Sequence, residues 1–146
     1  MSGRDMVKIG PAWAAAVLAT TVMACLIQSW QVQSGLADLG VDIPPGLAAQ
    51  TAIADLLGMA LPVLMVFGIA MALGFMAAGW LKPRLPLLAP IAWPLAGATA
   101  IAAALGLMHL QYQMTPLAGA RGTDGFLLFC GAGALGGLIF DWLRPR

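Results

Sequence analysis

Charge is what this sequence has least of. Only 9% of its 146 residues are Asp, Glu, Lys or Arg, against about a quarter in an ordinary soluble domain. Glutamate is absent, so the six acids are all aspartate: Asp5, Asp38, Asp42, Asp55, Asp124 and Asp141. So few charges cannot solvate a globular surface, which excludes a free water-soluble domain. The seven cations leave a formal net charge of +1 and form no basic patch, so no nucleic-acid partner is expected.

Chemically active side chains are equally scarce. The two cysteines, Cys25 and Cys130, sit in separate apolar segments and form no CxxC; such cysteines behave as small buried hydrophobes. A disulfide is not expected at hydrocarbon depth. There is a single histidine, His109. A zinc site needs more histidine or cysteine than this, so neither metal nor cofactor is expected. The run GAGALGG lacks the preceding strand and the lysine of a phosphate-binding loop.

What is abundant is apolar length. Hydrophobic residues make up 61% of the chain and the mean hydropathy is +0.90. A membrane-spanning helix takes about 20 mostly apolar residues, and four runs qualify: 9–30, 56–80, 87–110 and 126–143. The predicted architecture is therefore all-α. It is a polytopic membrane protein whose single domain, residues 1–146, is an antiparallel bundle of four transmembrane helices. A signal-peptide alternative, with Arg4 and Lys8 before an apolar run ending in VMAC at Cys25, fits less well. The run continues through Leu26 and Ile27 to Trp30, a full membrane length.

Orientation follows from the cations. Arg4, Lys8, Lys82, Arg84, Arg144 and Arg146 fall on one side, so both termini are expected in the cytoplasm. Asp38, Asp42, Asp55, Asp124 and one cation, Arg121, fall on the other. Trp13, Trp80 and Trp142 mark the inner interface, and Trp30 and Tyr112 the outer. A cell inner membrane is the expected location.

Beyond Pro44-Pro45-Gly46 the stretch GLAAQTAIADLLG predicts a short extra helical segment in the first outer loop. Joined to the second span it would reach about 50 Å at about 1.5 Å per residue. Pro62, whose ring crowds the carbonyl of Gly58, is expected to kink that helix. Small residues at spacing four carry helix packing in lipid. They are Gly133 with Gly137, Ala132 with Gly136, Ala70–Gly74–Ala78, and Ala98–Ala102–Gly106. Such stripes serve either the bundle itself or a contact with another protomer. Met59, Met65, Met71 and Met76 do not share a face and are read as gap-fillers.

No charge falls at the centre of any span, where Thr20, Thr21 and Thr99 are the only markedly polar groups. That argues against pumping through a charged relay. Polar groups collect at the outer boundary instead: Gln28, Gln31 and Gln33, then Asp55, then His109, Gln111, Tyr112 and Gln113, then Arg121, Thr123 and Asp124. Either Arg121 pairs with an aspartate and ties the outer loops together, or it clamps an anion beside a helix N-terminus. Arg121, His109, Asp55, Asp124, Tyr112 and Gln111 are the candidate ligand-binding residues. No catalytic set is assigned, because no nucleophile motif stands near His109, and the sequence leans against an enzyme.

The leading functional expectation is a small transport or channel-like protein, a homo-oligomer with a polar, anion-binding outer vestibule. An accessory or assembly subunit of a larger membrane complex comes second. An outer-leaflet enzyme acting on lipid or quinone comes third. Membrane lipid is the partner common to all three.

Overall fold

In the computed structural model residues 3–40, 42, 44–112, 120 and 122–144 are described, without the side chains of residues 3–8 and 112. Four helices carry the fold: α1 (Gly3–Asp38), α2 (Pro45–Leu81), α3 (Ala92–Tyr112) and α4 (Thr123–Leu143). A short 3-10 turn, Pro86–Leu88, lies between α2 and α3. Among the described residues there is no strand. All four helices are long and apolar enough to cross a membrane, as the composition requires.

Two helices outrun the expected spans 9–30 and 56–80, and for a physical reason. The outer-loop segment that reads as helical in the sequence is joined to the second span, as the sequence allows: α2 runs unbroken from Pro45 through Leu81. Pro45 suits the first helical turn, where its missing N–H would be unpaired anyway. No proline or glycine lies between Gly46 and Gly58 to stop the helix. Likewise α1 continues past Trp30 to Asp38. It ends where Gly40 takes the left-handed conformation (φ 79°) and donates its N–H to the Ala37 carbonyl at 2.9 Å, a glycine-dependent stop. Pro62 lies inside α2, and both it and Gly58 are exposed.

The helices form a ring in chain order, α1 on α2, α2 on α3, α3 on α4, with α4 closing back on α1. Rising residue numbers in one helix meet falling numbers in the next. Gly68 of α2 lies against Trp13 and Val17, Gly74 against Ala96 and Ala100, and Gly79 against Trp93. The tightest seam is α3–α4. A Cβ on Gly133 would strike the Gly97 carbonyl and Ile101, and one on Gly137 the Trp93 carbonyl and Pro94. Backbone meets backbone there, as small residues permit between helices in lipid. Gly136 is equally closed, by Thr20, Met71 and the Ala16 carbonyl, and Ala132 is buried. Gly106 is different: among the described residues nothing lies within 4 Å of its missing Cβ. The close approach on α3 belongs to Gly97, off the Ala98–Ala102–Gly106 stripe.

Inside the ring the space is filled. Phe67, Met71, Ile101, Leu105 and Phe129 are fully buried with Thr20 and Thr21. Thr20 donates to the Ala16 carbonyl four residues back at 2.8 Å, the usual way a hydroxyl is satisfied inside an apolar helix. One end is sealed by aromatic rings. Phe75 stacks on Phe140 with centroids 4.4 Å apart, and Trp93 lies 5.0 Å from Phe140.

Candidate functional site

Unequal helix length creates the first site. Thr20 reaches the level of Ala132, so α4, which starts at Thr123, begins near the level of Ser29. At about 1.5 Å per residue α1 then runs on for about 14 Å. Gly74 lies beside Ala96 and Ala100, so α3 ends near residue 60 of α2, whose first turns extend about 20 Å further. The ends of α1 and α2 thus project as a helical hairpin beyond α3 and α4.

A polar seam holds this hairpin together. The Gln33 side-chain amide donates to Ser29 Oγ at 3.1 Å and to the Ala48 carbonyl at 3.0 Å. It also lies 3.5 Å from Thr51 Oγ1. Deeper in the same seam Asp55 sits with Cys25, Gln28, Met59 and Val63 around a gap too narrow for a water molecule. The seam's outer flanks are apolar and bare. Leu39 is 80% exposed and Leu57 78%, and Val32, Leu36, Leu47 and Ile53 are exposed as well.

The residues singled out from sequence lie on separate elements around this end. Asp55 belongs to the α1–α2 seam. His109 and Gln111 are exposed on the last turn of α3, where His109 has a partner. Asp124 is exposed in the first turn of α4, and the N-cap position there is Gly122, which offers no side-chain cap. Arg121 and the Tyr112 side chain lie outside the described residues, so the anion clamp expected at Arg121 does too. Among the described residues no three His, Cys or Asp side chains are grouped to hold a metal ion. Gln33, which joins the helices here, was legible only as a boundary polar group, and its partner Ser29 was missed.

The opposite end is basic. Lys82 Nζ and the Arg144 guanidinium both approach the Trp93 ring, 5.5 Å and 4.6 Å from its centroid. The α2–α3 turn and the carboxyl-terminal end of α4 therefore share one end of the bundle. Arg84 lies 3.7 Å over Trp80 and bonds that residue's carbonyl at 3.3 Å. Arg144 pairs with Asp141 at 3.6 Å, the one ion pair among the described residues. Between α2 and α3 an open groove of about 290 Å³ runs from Gly74 and Thr99 down to Lys82, Leu85 and Leu88. Of its small residues only Gly74 and Ala78 were singled out from the sequence, as part of a packing stripe. Ala77 and Ala92 lie off that stripe, and a lysine one turn beyond them was the available signal.

Comparison with known proteins finds no matching family model, curated protein or solved structure.

Proposed function

We propose that the chain is an integral-membrane accessory or assembly subunit whose α1–α2 hairpin docks on a partner protein outside the membrane. The observation that carries this reading is the projecting hairpin with bare leucine and isoleucine side chains. Helices α3 and α4, 21 residues each, are about 31 Å long, the thickness of a hydrocarbon core. The 37-residue α2 spans about 55 Å. Tilts up to about 40° do not absorb that excess. We therefore assign its first turns, with the end of α1, to water, where so many exposed leucine and isoleucine side chains call for a partner. The positive-inside rule assigns the basic end, with both termini, to the cytoplasm of a cell inner membrane.

Transport by a homo-oligomer is the second reading. Thr99, Ala103 and Gly106 are exposed on one face of α3, a small-residue stripe of the kind that brings helices of two copies together. The bundle axis is packed, so a route would have to run between copies, with His109 and Gln111 at its outer mouth.

A photo-crosslinking residue at Leu39, Leu47 or Ile53, used in native membranes, separates the two. The docking reading expects a discrete adduct with a different protein, lost when Leu47→Asp and Ile53→Asp are introduced without lowering the amount of chain in the membrane. Adducts confined to twice the chain's mass, formed through Ala103 rather than the hairpin, would replace docking by self-association.

A further inference from the structure

We propose that the groove between α2 and α3 holds one acyl chain of an anionic phospholipid, with its phosphate at Lys82. The groove exists because the two helices touch at one level and separate below it. A Cβ on Gly74 would lie 2.8 Å from Ala100 Cβ and 3.1 Å from the Ala96 carbonyl. Toward the basic end the facing residues, Ala77, Ala78 and Ala92, are too small to close the gap, and Leu81, Leu85 and Leu88 form its lower walls. Gly74 to Lys82 spans about 12 Å along α2, so the slot lies parallel to the helices, as lipid chains do. At about 290 Å³ its volume lies just below the usual range for ligand sites, about 300–1,000 Å³.

Chemistry is graded along the slot. The upper wall offers no free side-chain donor to an anion, since the Thr99 hydroxyl already donates to the Leu95 carbonyl at 2.8 Å and lies 3.2 Å from that of Ala96. The lower end carries half-buried Lys82, followed two residues later by Arg84. Neither pairs with a carboxylate among the described residues. An apolar slot ending in an uncompensated cation at the membrane–water boundary fits an anionic headgroup with an attached chain. It does not fit a neutral lipid as well, and it does not fit a free anion, which would leave the slot empty. The site lies at the far end of the bundle from the hairpin and is independent of the docking reading.

The full-length chain in detergent, titrated with phosphatidylglycerol or with phosphatidylcholine of the same chains, tests this by native mass spectrometry. Phosphatidylglycerol is expected to be retained in preference to phosphatidylcholine. Lys82→Gln should weaken its retention about fivefold and leave phosphatidylcholine unaffected, while Lys82→Arg keeps the preference. Ala77→Leu, at an exposed position that fills the slot, should abolish retention of both. Equal retention of the two lipids, an unchanged preference in Lys82→Gln, or an equal response to inorganic phosphate alone would each overturn the proposal. So would a dimer that Ala77→Leu dissociates, which would make a second copy the occupant.

Discussion

A methyl group at Gly137 would sit on the backbone of α3, against the Trp93 carbonyl and Pro94 Cα, and backbone cannot rotate away as a flexible side chain can. Gly137→Ala should therefore push α3 and α4 apart and destabilise the bundle by about 1–3 kcal/mol or more, read as a lower melting temperature in detergent. Gly106→Ala, with open space at its Cβ, should leave the monomer's stability unchanged. Thr21 is the opposite case. Its hydroxyl is buried without a hydrogen-bond partner among the described residues, and an unmet buried polar group costs about 1–3 kcal/mol. Thr21→Val, similar in shape, should raise the melting temperature. A fall would mean that the hydroxyl has a partner. Which glycines matter could be narrowed from spacing, but Gly97 could not be chosen over Gly106, because spacing names a face without saying what that face meets.

At the scale of elements, the hairpin and the bundle should separate energetically. Gln33→Leu removes the amide that joins α1 to the Ala48 carbonyl of α2, a bond of about 0.5–1.5 kcal/mol. Faster amide exchange is expected across residues 31–55, with exchange in α3 and α4 unchanged. Pro62 gives a second test. A proline inside a helix removes the bond to the carbonyl four residues back, and here that carbonyl belongs to Gly58. Pro62→Ala should restore the bond, raise stability and lengthen the distance between spin labels at the two ends of α2. An unchanged distance would dismiss the bend expected from the sequence. The extra outer segment was legible as helical, and so was its joining to the second span, since no breaker lies between Gly46 and Gly58. That α1 would extend beside it was not, since polar Gln28, Gln31 and Gln33 read as the end of a span. The Gln33 amide is met along the seam, by Ser29 Oγ and the Ala48 carbonyl, and the Ser34 hydroxyl by the Gln31 carbonyl of its own helix.

For the whole molecule the sided distribution of cations makes one demand. With Cys25 and Cys130 replaced, single cysteines at Pro83 and at Arg144 should react with a membrane-impermeant reagent from the same side, and one at Gly40 from the other. Reaction of Pro83 and Gly40 from one side would dismantle the assignment of the hairpin to the outer compartment, and the docking reading with it.

Sequence alone determined the medium and the element count, because so little charge over four apolar runs leaves lipid as the only workable solvent and helix as the only backbone arrangement that satisfies itself there. Tertiary structure alone decided which small residues meet, how far α1 and α2 outrun their partners, and where the packing leaves a slot. Those depend on the axial register of one helix against another, which long-range contact sets and which no residue's local preference encodes.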